Sequence, residues 1–226
     1  MSRRYERNMK TLSPEENAKL RQFRVFVAGC GGLGGYVIEE LGRLGIGYIT
    51  AVDGDVFEES NLNRQLLCTM DSLGRGKADS ARERMLEVNP DVTVTSIYTM
   101  INEDNCPELI RGHDLVIDAL DNTGARIILE KGCEREGIPM VHGAIAGWYG
   151  QVSAVLPGDR TIQKLYPSDG EKGIETELGN PAFTPGVVAS IEVAEGLKIL
   201  LGRGNVLQNK LLTINLLDHE YECFDL

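Results

Sequence analysis

Three features of this 226-residue sequence predict an α/β fold with a doubly wound, mainly parallel sheet. Short apolar runs alternate with stretches of helical period from residue 24 to residue 156, as repeated β-α-β units with helices on both sheet faces require. The first unit carries Gly29, Gly31 and Gly34 in G-x-G-x-x-G spacing, between the apolar run 24–28 and a helical pattern from Tyr36 onward. The last two apolar runs, 211–217 and 221–224, are joined near Asp218 and His219 and predict C-terminal antiparallel edge strands. Together these make a Rossmann-like sheet in one unit spanning 1–226. Its parts are an N-terminal arm and helix (1–23), an excursion (157–183), and a C-terminal helix with edge strands (184–226).

Along the chain, residues 1–12 are basic and polar, and arginines in such a stretch are usually solvated. A helix opens at 13–16, with Ser13 as N-cap, Pro14 at the first helical position and Glu16 three residues past the cap. The glycine unit follows. Its first glycine allows a tight turn, the second a close approach of backbone to phosphate, and the third close packing of helix on strand. The helix runs to about Leu44 and closes at Gly45 and Gly47. Strand 48–52 ends at Asp53, nineteen residues past Gly34, where a carboxylate can bond ribose hydroxyls.

Residues 54–65 lack periodicity and read as an ordered loop on the carboxyl edge of the sheet. Gly74, Arg75, Gly76 and Lys77 lead into a helix over 78–88 that Asn89 and Pro90 end. A strand at 92–98, a short helix at 103–111 and a strand at 114–118 come next. A helix over 124–135 and strands at 140–145 and 150–156 follow. Residues 157–183 are rich in Gly, Pro and charge, read as a long loop, and loops of that length are usually functional or disordered. The helix at 185–201 has Val188, Ile191, Ala194 and Leu197 at helical spacing.

Composition narrows the function. No apolar run approaches the ~18 residues of a membrane span, and the first residues lack a signal-peptide pattern, so a cytoplasmic location is expected. A net charge of −11 argues against a nucleic-acid surface, which needs clustered Lys and Arg. Cys30, Cys68, Cys106, Cys133 and Cys223 are odd in number, widely spaced and without a C-x-x-C, against a disulfide scaffold or a four-thiolate zinc site.

The candidate chemistry gathers at the carboxyl edge. Asn61, Arg64 and Gln65 follow Asp53, Lys77 opens a helix, and Asp118 and Asp121 end the fourth strand. Arg64 and Lys77 can neutralise a triphosphate, and Asp121 can hold Mg²⁺, which prefers one or two carboxylates plus water and phosphate oxygens. Taken singly, each has an ordinary reading as a solvated charge, a turn or a cap.

The motifs Arg4-Tyr5-Glu6-Arg7, Gly29-Cys30-Gly31-Gly32-Leu33-Gly34, Asp53-Gly54-Asp55, Ser60 to Gln65, Gly76-Lys77, Asn89-Pro90 and Asp118-Ala119-Leu120-Asp121-Asn122 resemble the ThiF/MoeB/HesA adenylyltransferases, relatives of the ubiquitin-activating enzymes. The resemblance is close over 3–156 and looser along the helix after Pro185. It implies an adenylyltransferase that uses ATP and Mg²⁺ to activate the C-terminal glycine carboxylate of a small ubiquitin-like sulfur-carrier protein ending in Gly-Gly, releasing pyrophosphate. By the same resemblance Gly29, Gly31, Gly32 and Gly34 cradle the nucleotide, Asp53 holds the ribose, and Asn61, Arg64, Gln65 and Lys77 bind phosphates. Asp55 and Asn122 join the nucleotide contacts, Asp121 is the metal ligand, and Arg7 reaches the ATP of the other subunit in a homodimer.

Two departures from the family pattern matter. Members often bind zinc through two C-x-x-C pairs, and this chain has neither, so no zinc is expected. Some carry a crossover-loop cysteine that takes the activated carrier covalently; residues 157–183 contain none, the matching region reading Gly173-Ile174-Glu175-Thr176-Glu177. Adenylation without that covalent step, and a separate sulfur donor, are therefore expected. The alternatives are a tRNA threonylcarbamoyladenosine dehydratase-like activation, a non-catalytic carrier-docking protein, and an NAD-dependent dehydrogenase. The last needs an acid–base histidine, for which only His142 is suitably placed.

Overall fold

Residues 25–28 of the first strand are fully inaccessible to solvent, as a strand covered by helices on both faces must be. The computed structural model describes residues 3–166 and 175–226. Elements follow in the order α1 (Pro14–Leu20), β1 (Arg24–Ala28), α2 (Gly32–Leu44), β2 (Tyr48–Val52), α3 (Lys77–Val88), β3 (Thr93–Ile97), α4 (Cys106–Ile110) and β4 (Leu115–Asp118). Then come α5 (Thr123–Glu136), β5 (Met140–Ala146), β6 (Tyr149–Val155), α6 (Thr161–Leu165), α7 (Glu175–Leu178), α8 (Phe183–Leu201), β7 (Lys210–Asn215) and β8 (Glu220–Asp225).

Among the described residues the strands form one sheet in the order β3-β2-β1-β4-β5-β6-β7-β8. It is parallel from β3 to β5 and antiparallel from β5 to β8. The chain moves outward from β1 to β2 and β3, then returns to lay β4 on the other side of β1. The switch point therefore falls between the carboxyl ends of β1 and β4, where open α/β sheets bind ligands.

Alternation along the strands divides the core. Val25 and Val27 of β1 join Leu115 and Ile117 of β4 against α2, α3 and α8. Phe26, Ala28 and Val116 face α4 and α5. Each fully buried Val, Leu or Phe contributes roughly 1.5–3 kcal/mol over its exposed state. Local signals set the helix starts. Ser13 Oγ accepts from Glu16 N–H at 3.2 Å while Ser13 N–H donates to Glu16 Oε2 at 2.7 Å, a complete capping box.

The structure corrects the sequence reading in four places. The excursion 157–183 is not structureless: it holds α6 and α7, with 167–174 outside the described residues. The five-residue α6 carries no cap of its own; Glu130 on α5 accepts from Ile162 N–H at 2.6 Å and Gln163 N–H at 3.2 Å. The basic arm keeps its arginines exposed, as expected, but it is not featureless, because Arg3–Asn8 forms a 3₁₀ turn with Tyr5 buried. Of the two C-terminal strands only β8 is an edge; Leu216 and Leu217, read as strand, lie in the turn between them. Asp118 does not face the ligand edge but is wholly buried, bonded to His142 Nδ1 at 2.8 Å.

Candidate active site

The glycine turn leaves β1 at Gly29, whose φ of +93° and nearest neighbour rule out a side chain: a Cβ there would stand 2.6 Å from the Ala119 carbonyl oxygen. A Cβ on Gly34 would overlap the Gly29 carbonyl oxygen, so this glycine lets α2 sit directly on the strand exit. Gly31 and Gly32 behave differently. Their open side meets only side chains at ordinary contact distance: Gln65 near Gly31, and Arg64, Ile145 and Pro185 near Gly32. These side chains wall a cradle over the start of α2.

No side chain caps α2, whose N-cap is Gly31, or α3, whose N-cap is Gly76. The positive helix ends therefore face the carboxyl edge of the sheet at two points, with the first N–H groups free at α2 while at α3 the Lys77 N–H already donates to the Asp55 carbonyl at 3.0 Å; the α2 start is the setting that suits phosphate. Gln65 is buried with its Oε1 unpartnered beside Gly31. A buried carbonyl oxygen without a donor is costly, and a nucleotide hydroxyl or amine in the cradle would relieve it.

The predicted residues fall into three groups. Asp53, Asp55, Asn61, Arg64, Gln65 and Lys77 are brought together around the cradle. Asp53 accepts from Cys30 N–H and Asp55 N–H, both at 2.8 Å, and so fastens the glycine turn to the end of β2. Burial raises its pKa, against the opposing pull of those two amides and Lys77. Lys77 Nζ, nearly buried, lies 3.2 Å from Asp55 Oδ2, and Asn61 Oδ1 accepts from Glu58 N–H at 3.0 Å. Arg64 Nη1 donates to the Ser60 carbonyl at 3.0 Å and to Asn63 Oδ1 at 2.9 Å, which holds it beside Gly32.

Asp121 and Asn122 form the second group, on the turn packed against Gly29. Asn122 Oδ1 is committed to capping α5, accepting from Ala125 N–H at 2.8 Å. Asp121 is exposed, with no hydrogen bond or ion pair among the described residues. Nor is there, among those residues, a group of three or more His, Cys, Asp or Glu side chains able to hold a metal ion. A hard cation at Asp121 would complete its shell with phosphate oxygens and water, as Mg²⁺ does in nucleotide sites.

Arg7 stands apart from both. Its turn is fastened to the far ends of α2 and α3, through Asn8 Nδ2 to the Leu44 carbonyl at 3.3 Å and Arg4 Nη1 to the Val88 carbonyl at 2.5 Å. With thirteen residues in α2, that end is about 20 Å from the cradle. The arm cannot serve the site of its own chain.

A model of the ThiF family matches residues 5–226. The chain belongs to that family. It is 37% identical over 224 residues to the SAMP-activating enzyme E1 of Haloferax volcanii, covering 97% of this chain and 83% of that protein. It is 35% identical over 229 residues to the sulfur carrier protein adenylyltransferase of Thermus thermophilus, with 96% and 84% covered. The molybdopterin-synthase adenylyltransferase of Salmonella typhimurium is 32% identical over 203 residues, with 88% and 81% covered. Among solved structures, E. coli MccB with ATP superposes with a TM-score of 0.83 at 21% identity, covering 100% of this chain and 71% of that one; this likeness concerns the fold.

His142, the histidine a dehydrogenase would use, is a satisfied core residue: it is inaccessible and committed to Asp118, and burial lowers its pKa. Sequence reasoning missed Arg126 and Tyr166, which complete that network behind the site. One signal was available: an arginine near the start of a helix opposes the helix dipole, so Arg126 needs a partner there.

Proposed function

We propose that this ThiF-family chain is an ATP-dependent adenylyltransferase that activates the C-terminal carboxylate of a small ubiquitin-like sulfur carrier. The observation that carries the reading is the meeting of groups at the sheet switch point. An uncapped α2 lies under two open glycines, Arg64 and the orphaned Gln65 flank it, and the unpartnered Asp121 stands across the Gly29 turn. The sulfur carrier protein adenylyltransferase and SAMP-activating enzyme among its relatives support the kind of substrate.

In the reaction a carrier carboxylate oxygen forms a bond to the α-phosphorus as the α–β bridging P–O bond breaks, and pyrophosphate leaves with that electron pair. Two anions must approach, so cations and fixed dipoles do most of the work and no protein nucleophile is required. Amides at the α2 start and the Arg64 guanidinium hold phosphate oxygens, Lys77 adds a charge at the start of α3, and Asp53 receives the ribose. Mg²⁺, held by Asp121, would neutralise the departing pyrophosphate. Asn61, Gln65, Asp55 and Asn122 shape the pocket around them.

Arg7 acts on the ATP of a second copy, which its place at the opposite end of α2 favours, so the working form is a homodimer. Sulfur comes from a separate donor, and no covalent carrier–enzyme link forms at 157–183. The test is ATP–pyrophosphate exchange with Mg²⁺ and carriers ending in Gly-Gly. Carrier-dependent exchange that Asp121→Ala abolishes supports the reading. Nucleotide binding without exchange for any carrier refutes it, and a reducible carrier adduct refutes the non-covalent part.

A further inference from the structure

The groups that hold the Asp121 turn lie behind it, and the reaction above gives them no part. Leu120, the residue before Asp121, has both backbone polar groups fixed by buried side chains. Its N–H donates to Asp118 Oδ1 at 3.1 Å, and its carbonyl accepts from Arg126 Nη2 at 2.6 Å. Arg126 is itself held: Nη1 donates to the Tyr166 hydroxyl at 3.1 Å, and Nε stands 3.8 Å from Asp118 Oδ2. The Tyr166 hydroxyl also accepts from Gln151 Nε2 at 2.6 Å, and His142 Nδ1 donates to Asp118 Oδ2.

This arrangement is expensive for a purely structural contact. Arg126 is 9% exposed and one turn into α5, where the positive end of the helix opposes a cation. A buried charge is weak evidence for stability, since apolar residues of similar volume often serve as well. What the guanidinium does that an apolar residue cannot is bond a carbonyl and a hydroxyl at once, in fixed directions, across three elements. Asp121 needs such support because its own carboxylate has no partner among the described residues and only the backbone aims it.

We propose that Arg126 is a positioning residue for Asp121. Its guanidinium fixes the Leu120 carbonyl, and through it the direction in which the next side chain leaves the turn; Tyr166, at the end of α6, fixes the guanidinium. The proposal rests on the assignment of Asp121 to the metal. Lysine cannot replace the fork, since a single ammonium on a flexible stem does not hold both acceptors in this geometry.

The test uses the full chain, Arg126→Lys and Tyr166→Phe, with Mn²⁺ in place of Mg²⁺ and an α,β-methylene ATP analogue, whose α–β bridge cannot break and which therefore cannot donate its adenylyl group. Mn²⁺ affinity is read by electron paramagnetic resonance, analogue affinity in metal-free buffer, and backbone amide exchange at 119–122 without ligand. Arg126→Lys is expected to weaken Mn²⁺ by about tenfold or more, the scale on which losing an outer-shell partner costs a metal site. Amide exchange at Leu120 and Asp121 should quicken, while metal-free analogue affinity stays unchanged. Tyr166→Phe should move each readout the same way by less, and it decides the matter if Arg126→Lys does not fold, because the ring packing is kept. Asp121→Ala separates the two ideas. If it leaves Mn²⁺ affinity intact, the metal assignment falls and the proposal with it. If it abolishes Mn²⁺ binding while folded Arg126→Lys and Tyr166→Phe bind as the parent does, the positioning role alone is overturned.

Discussion

Replacing Asn89 by alanine should loosen the N-terminal arm and, through it, the second copy's site in the proposed homodimer. Asn89 is inaccessible, and its Nδ2 donates to the Tyr5 hydroxyl at 2.8 Å and to the Gly42 carbonyl at 2.7 Å. The Gly42 carbonyl keeps a bond from Gly45 N–H at 3.2 Å, but the buried Tyr5 hydroxyl loses this donor. Asp91 N–H also loses its bond to Asn89 Oδ1 at 3.3 Å, so three net hydrogen bonds and one stranded hydroxyl amount to about 3–5 kcal/mol. In a chain of this length that lowers the thermal midpoint by roughly 6–20 °C. Proteolysis should then cut near residues 3–8 first. ATP–pyrophosphate exchange should fall although the cradle lies at the other end of α2. Mixing in Asp121→Ala chains should restore exchange, because each Asn89→Ala site then receives an intact arm from its partner. A midpoint within a degree of the parent refutes the energetic argument. A loss of exchange that persists in the mixture refutes action through the arm.

Other consequences follow from the same geometry. Glu192 is fully buried with both oxygens unpartnered, and burial first, then the nearby Asp118, raises its pKa well above the ordinary value, Arg126 opposing. Its native state thus holds the proton more tightly than the unfolded chain, so its contribution is present below the ordinary carboxylate range and is lost as pH rises beyond it. Glu192→Gln should flatten the fall in thermal midpoint between acid and mildly alkaline pH; an unchanged slope would show that the carboxyl is not titrating there. Gly34→Ala puts a methyl on the Gly29 backbone and should cost about 3 kcal/mol in urea unfolding, whereas Gly124→Ala, 3.8 Å from its nearest neighbour, should cost little. Thiol labelling of the native protein should be confined to Cys223, since Cys30, Cys68, Cys106 and Cys133 are buried. Burial pushes the Cys106 thiol up to about 11, and rapid labelling of a second thiol would contradict that picture.

Much of this molecule was legible because its signals are local. The alternation of apolar runs placed β1 to β5, the capping box marked α1, and the glycine spacing gave both the turn at Gly29 and the helix contact at Gly34. What was not legible depends on contacts distant in sequence. Nothing around Thr161 announces a helix, since the carboxylate that caps it is Glu130, thirty-odd residues earlier. Tyr5 sits in a basic stretch, and its buried place is made by residues distant from it: Asn89, the bare backbone of Gly45 and the Arg21 guanidinium over its ring. Asp118 and Asp121 are indistinguishable as strand-end acids, yet the first is the last residue of β4, buried on both faces and in register with His142 of β5, while the turn leaves the second in solvent.

That pair of aspartates also shows how the site is prepared before any ligand arrives. Three segments that bear the proposed nucleotide-facing groups are tied to backbone by side chains: Asp53 holds the glycine turn at Cys30, Asn61 holds Glu58, and Asp118 with Arg126 holds Leu120. Asn63 adds a bond at 3.1 Å to the Asn180 carbonyl, joining the post-β2 loop to the segment before α8. Donors fixed in this way need little reorganisation when charge moves onto pyrophosphate, and such preorganisation is where electrostatic catalysis gains its advantage over water. Among the described residues, Gln65 Oε1 and the Asp121 carboxylate are left without partners at this edge, and they are ones that a bound nucleotide and its metal would satisfy under the proposed function.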